Sequence, residues 1–280
     1  MTICNHMIVI HSWENGADIG CVMIHGGPGG RSDKEFGDRL SKQFWVLMYD
    51  QYGGGESDAL DDSFEIGPDY YREEARAVIE CNVDRDYYLI GYSWGASVAV
   101  EYASHYKDEH LKGLILISPF LSGRLWTRDQ LETLGELSPR HQAMMRDEVE
   151  KGEVTESSLE AMRILFRKVL FMKEENKADA DRYAAIPRGK VCLRLWGRND
   201  AIPIGSLSDY DATHLLKEIS VPVMVIYGSS DEVRRESIDE YLALLPKGES
   251  AEIEGAGHYS IREIPETYVE CIIDYIRGKS

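Results

Sequence analysis

Nowhere does this 280-residue chain approach the ~20 consecutive apolar residues that a membrane-spanning helix needs, so no span is expected. Basic charge is scarce: 31 Lys and Arg stand against 49 Asp and Glu, a formal charge of -18. Phosphate backbones and anionic lipid surfaces are held through Lys and Arg, so neither nucleic acid nor membrane is an expected partner. The acid excess reads first as solubility, with a bias toward a cationic substrate as the alternative. The five cysteines (Cys4, Cys21, Cys81, Cys192, Cys271) are scattered, odd in number and never form C-x-x-C. That pattern gives no disulfide or metal framework and predicts free thiols in a reducing compartment. The opening "MTICNHMIVIHSWENG" has neither a basic region nor a small-residue cleavage site, so no secretory signal is expected and a cytoplasmic location follows. Internal repeats and low-complexity tracts are also missing.

What is there is an ordinary globular composition, 43% hydrophobic and 29% charged, enough for a sizeable core in one large domain or a domain with an insertion. Short, nearly continuous apolar runs at 21–25, 44–50, 87–91, 113–118, 221–228 and, more weakly, 250–255 fit strands buried on both faces of a parallel sheet. Helical patterns at 68–82 and 93–110 lie between them, which predicts an α/β fold with crossover helices. From about 121 to 207 the strands stop and amphipathic helices take over. In the clearest, over 157–175, Ser157 and Glu160 fit a capping box and Leu159, Met162, Phe166 and Val169 form an apolar stripe. The expected organisation is a core of 1–120 and 208–280 with a helical cap, 121–207, inserted between them.

Two glycine motifs carry the chemistry. "GYSWG" (91–95) follows an apolar run and opens an alanine-rich helical pattern, the strand–turn–helix that exposes a nucleophilic serine, here Ser93. A serine needs a base, and the base needs an orienting acid; in this arrangement they follow in the order Ser, Asp, His. His258, in the glycine-bracketed "GAGHYS", suits the base, whereas His214 lies in a helical pattern and reads as a surface residue. Asp231, in the loop after the 221–228 run, suits the acid. An acyl-transfer intermediate also needs preorganised N–H donors for its oxyanion. The Trp94 N–H supplies one, and the second falls to "HGGPGG" (25–30), where Gly27 has no side chain to block substrate. Neither this loop nor "YGGGES" fits a phosphate-binding pattern. No metal and no cofactor are called for.

With these motifs on the page, the chain resembles the proline iminopeptidase (prolyl aminopeptidase) family of α/β-hydrolases. The likeness rests on "HGGPGG" (25–30), "YDQYGGGESD" (49–58), "GYSWGAS" (91–97), "GSSDEV" (228–233) and "GAGH" (255–258), and continues through "GSLSDYDATHLLKEISVPVMVIYG" (205–228). It implies an α/β-hydrolase fold, a mostly parallel central sheet flanked by helices with a helical cap, and a metal-free serine triad that releases N-terminal residues from short peptides. It further implies that acids hold the substrate's free ammonium; the matching positions are Glu232, directly after Asp231, and Asp200 in "WGRNDAIPIG". Tyr52 stands where proline-specific members carry arginine, and Asp200 is shorter than the usual glutamate. Both departures point away from strict proline preference, toward other small or hydrophobic N-terminal residues. The alternatives are a capped esterase, amidase or lactonase acting on a small molecule without an amine, and a ligand-binding protein that has lost catalysis. The partner is thus a short peptide or another small molecule; oligomeric state is left open.

Overall fold

Successive strand residues turn alternately to two apolar clusters, which shows how the chain divides its apolar groups. In the computed structural model, which describes residues 1–152, 154–185 and 188–279, Val22, Leu89, Leu114 and Leu116 face one apolar cluster. Their neighbours Met23, Ile90, Ile115 and Ile117 face another. A strand with both faces buried has no polar alternation, which is why these segments read as continuous apolar runs.

A short hairpin, β1 (Thr2–Ile3) and β2 (His6–Met7), precedes β3 (Val9–Trp13) and β4 (Gly20–Ile24). Then follow α1 (Lys34–Leu40), β5 (Trp45–Asp50), α2 (Pro68–Asn82), β6 (Tyr87–Tyr92), α3 (Trp94–His105) and β7 (Leu111–Ile117). After a helical segment the sheet resumes with β8 (Val223–Gly228), α10 (Arg235–Leu244), β9 (Gly248–Ile253), α11 (Ser260–Glu263) and α12 (Pro265–Lys279). The seven-stranded sheet runs β3-β5-β4-β6-β7-β8-β9, with β3 antiparallel to β5 and all other pairings parallel. The α/β expectation therefore holds, and each of the six apolar runs forms a strand. β3 escaped the sequence reading because it is a half-buried edge strand without a continuous apolar run.

The segment between β7 and β8 holds α4 (Gly123–Leu137), α5 (Pro139–Lys151), α6 (Glu156–Val169), α7 (Glu174–Lys177), α8 (Asp179–Ala185) and α9 (Lys190–Leu195), followed by a 3-10 turn at Thr213–Glu218. It has its own apolar cluster, in which Met162, Phe166 and Val169 pack with Leu134, Met145 and Leu165, so the stripe is a packing surface. Three details correct the sequence reading. α3 ends at His105, not 110, and α6 at Val169, not 175. The capping box is made by Thr155 and Ser158 rather than Ser157 and Glu160: the Ser158 hydroxyl accepts from the Thr155 N–H at 2.8 Å, starting the helix earlier. His214 is exposed on the 3-10 turn, and all five cysteines are unbridged. No helix among the described residues is long and apolar enough to cross a membrane.

Candidate active site

Ser93 sits where β6 turns into α3, with φ +54° and ψ -120°. That is costly for a residue with a Cβ, and it persists because the surroundings leave no alternative. A Cβ on Gly91 would come within 2.5 Å of the Ala96 Cα, and one on Gly95 within 2.2 Å of the Ile24 carbonyl oxygen. The two glycines of G-x-S-x-G are thus required by the packing of β6 and α3 against β4.

Three loops at the C-terminal ends of the parallel strands bring Ser93, Asp231 and His258 together. The Ser93 Oγ lies 3.0 Å from His258 Nε2, and His258 Nδ1 lies 2.8 Å from Asp231 Oδ1. Asp231 is fixed by further donors: the Ser118 hydroxyl at 2.5 Å to Oδ2 and the Glu232 N–H at 2.7 Å to Oδ1. With Asp231 accepting from Nδ1–H, the Nε2 lone pair faces the serine proton. Burial alone pulls His258 down, but the carboxylates of Glu232 and Asp231, with the Asp231 hydrogen bond, outweigh it, so its pKa lies above the ordinary histidine value.

Gly27 lines the same cavity as Ser93. Its φ is +149°, and a Cβ there would come within 2.7 Å of the Gly29 and Gly30 nitrogens, so glycine is demanded by the turn of its own loop. Its N–H makes no hydrogen bond among the described residues. Trp94 opens α3, so its N–H has no partner inside the helix. The Trp94 indole is buried, and its Nε1 donates to Gln51 Oε1 at 2.9 Å. Gln51 in turn donates through Nε2 to the His25 carbonyl oxygen at 2.9 Å, and its backbone N–H donates to His25 Nε2 at 3.0 Å. Burial lowers the His25 pKa, and its neutral ring donates from Nδ1 to the Gly26 carbonyl at 2.7 Å. His25 and Gln51 therefore tie the glycine loop to the serine turn. Sequence reasoning quoted both residues inside their motifs without assigning them this part. Ser118 was given no part by the sequence, and Tyr92, quoted inside "GYSWG", was not assigned its own: its hydroxyl donates to the His258 carbonyl at 2.7 Å.

The cavity above Ser93 holds about 170 Å³ and opens to solvent. Trp126, Phe166, Leu170 and Trp196 of the helical segment form apolar wall, and Glu232 and Asp200 both face it. Glu232 Oε2 is 3.7 Å from His258 Nε2; burial pushes its carboxyl up to about 8, against the pull of His258. Asp200 is pushed up to about 6, again chiefly by burial, with Arg188 pulling the other way. Its carboxylate is ion-paired with Arg188, a partner the sequence did not reveal. The helical segment also reaches the loops beneath: Gln130 of α4 donates to the Glu232 carbonyl at 2.7 Å, and the His258 N–H donates to the Val169 carbonyl at 2.7 Å. The described residues contain no group of three or more His, Cys, Asp or Glu disposed to hold a metal ion.

A strained serine turn on a mostly parallel sheet, with an acid after β8 and a histidine after β9, defines a class, and residues 22–263 match the α/β hydrolase fold family, to which the chain belongs. Within it, the chain is similar to a proline iminopeptidase of Heyndrickxia coagulans, 29% identical over 269 residues that span 95% of this chain and 93% of that one. Among solved structures it is similar to VinJ, with a TM-score of 0.83 and 23% identity, covering 100% of this chain and 98% of that one. A proline iminopeptidase from Mycobacterium smegmatis gives a TM-score of 0.79 at 22% identity, covering 99% and 96%. The likeness to proline iminopeptidases inferred from the motifs is borne out.

Proposed function

We propose that the protein is a serine aminopeptidase of the prolyl aminopeptidase type, releasing N-terminal residues from short peptides through an acyl-enzyme. The Ser93 Oγ attacks the carbonyl carbon of the first residue while its proton passes to His258 Nε2, and Asp231 holds the imidazole and steadies its positive charge. The Gly27 and Trp94 N–H groups receive the oxyanion. The C–N bond then breaks, and His258 gives its proton to the leaving amine. Water, deprotonated by His258, attacks the acyl-enzyme, the proton returns to Ser93, and the free amino acid departs. Glu232 takes the substrate ammonium, which loses its hydration in the cavity and requires a carboxylate. Asp200, already engaged by Arg188, lines the same cavity. The helical segment acts as a cap that admits short chains, and the accepted N-terminal residues are proline and other small or hydrophobic ones.

The observation that carries this reading is one buried acid, Glu232, beside the imidazole of an assembled Ser–His–Asp chain. The test is hydrolysis of aminoacyl-7-amino-4-methylcoumarins, proline and alanine included, each free and N-acetylated, with Ser93→Ala as control. Turnover of the free substrates alone is expected. Cleavage of simple esters with no free-amine hydrolysis would instead place the protein among esterases, the reading that the Arg188–Asp200 pair favours by neutralising one of the two acids.

A further inference from the structure

The cavity has a charged mouth. Its charged lining, apart from Glu232, Asp200 and the catalytic histidine, consists of Arg31, Asp33 and Arg262. The same three residues open onto an adjoining cleft beside α1, so this is the mouth of the site. In a chain of charge -18, two arginines there are unexpected on composition alone. Their partners do not account for them. Among the described residues the exposed Arg31 guanidinium makes no hydrogen bond and no ion pair. Arg262 stands 5.7 Å over the Tyr259 ring and 3.6 Å from an Asp33 oxygen, a loose contact with an acid whose other oxygen caps α1 through the Phe36 N–H.

Their placement is set by the backbone. A Cβ on Gly26 would lie 3.1 Å from that of Ser93, and one on Gly30 would lie 2.3 Å from the Gly26 carbonyl oxygen. The glycine loop thus folds back beside the serine, and Arg31 follows one chain step later, ~3.8 Å on. Arg262 approaches from the other flank, in α11, directly after the loop that carries His258. On the proposed mechanism the leaving amine collects its proton from His258 Nε2, so the leaving portion of the substrate passes beside the imidazole on its way to the mouth. One cavity thus carries both kinds of charge, Glu232 and Asp200 in its lining and the two arginines where it meets the adjoining cleft.

Building on the aminopeptidase reading, we infer that Arg31 and Arg262 form a subsite for the C-terminal α-carboxylate of the substrate, which makes free dipeptides and tripeptides the preferred substrate class. A zwitterionic dipeptide carries its ammonium and carboxylate roughly 7 Å apart when extended, one charge for the acids and one for the arginines of the same cavity. Arginine suits the task because its planar guanidinium pairs a carboxylate through two parallel hydrogen bonds.

The test compares kcat/KM for Pro-Gly and Ala-Gly with that for the corresponding dipeptide amides, all with a free N-terminus. The wild type is expected to favour the free carboxylate by about tenfold or more, the yield of one or two charge-assisted hydrogen bonds at a wet site. Arg31→Ala and Arg262→Ala should each shrink that ratio, the double variant should bring it near one, and Arg31→Lys should keep part of it. Equal rates on dipeptide and amide in the wild type, or a ratio untouched by both substitutions, overturns the inference. So does an Ala-Glu amide cleaved as well as Ala-Gly, because the carboxylate read would then be a side chain. The aminoacyl-coumarin panel keeps the two levels apart. If free coumarin substrates are cleaved while the dipeptide ratio stays near one, only the carboxylate subsite falls; if no free-amine substrate is cleaved, the aminopeptidase reading falls first.

Discussion

The strand-end loops and the helical segment between β7 and β8 build one site by different means. Ser93, Asp231 and His258 are held by main-chain geometry: a positive φ, glycines that no Cβ can replace, and hydrogen bonds to backbone groups. The helical segment contributes apolar wall, the Arg188–Asp200 pair, and carbonyl and amide contacts that pin the loops below. On the proposed mechanism the first region fixes where a bond breaks and the second fixes what reaches it. Damage to either should therefore look different in kinetics.

The widest separation is expected from Ser93→Ala, which should lower kcat by about 10⁴-fold or more while leaving the thermal midpoint nearly unchanged. A residual rate within a hundredfold of wild type would mean that Ser93 is not the nucleophile. Phe166→Ala works from the other region. It removes a buried ring from the segment's own cluster and should cost about 3–5 kcal/mol of stability, read by urea denaturation. If the loss is confined to the helical segment, melting will show two transitions and the sheet will survive the first; one cooperative transition would show that the two regions fold as a unit.

Glu232→Gln bridges the regions. Removing the carboxylate from a bound ammonium should lower kcat/KM for free-amine substrates by about a hundredfold, and esterase activity on amine-free substrates far less. The variant also tests the charge around His258. Activity needs the neutral imidazole, so with the histidine pKa raised, the rate falls as pH drops through that raised value. Glu232 is one of the carboxylates that raise it, so the acid limb of the pH profile should move to lower pH in Glu232→Gln. A limb that stays in place would separate Glu232 from the imidazole. At the small end, His214→Ala alters an exposed residue on the 3-10 turn and should change stability by less than ~0.5 kcal/mol and activity not at all.

The same contrast explains what could be read from the sequence. Five strands, β4 to β8, announce themselves because burial on both faces leaves mostly apolar residues, and Ser93 and Asp231 follow because each lies just past such a strand; His258 follows the more exposed β9, whose run was correspondingly weaker. Glycines at 27, 91 and 95 are visible because only glycine fits there. The helical segment gave its stripe but not its ends: Thr155 and Ser158 form a cap that Ser157 and Glu160 resemble equally well on spacing. Arg188 reaching Asp200, Gln130 reaching Glu232, and Val169 holding His258 are contacts between residues far apart in sequence that share no motif. Side-chain packing decides them, and no periodicity records it.

The Gln51 bridge limits what position 51 can be. Its side chain must offer an acceptor to the Trp94 indole and a donor to the His25 carbonyl at the same time. An amide has both ends; a carboxylate of identical shape has only acceptors and would face the His25 carbonyl with lone pairs. On the proposed mechanism it would also set a buried negative charge next to Trp94, whose N–H receives the oxyanion, so that substrate carbonyls would polarise against a standing repulsion. Exchanging a single NH₂ for an oxygen would turn the strut between the two loops into an opponent of the chemistry they serve.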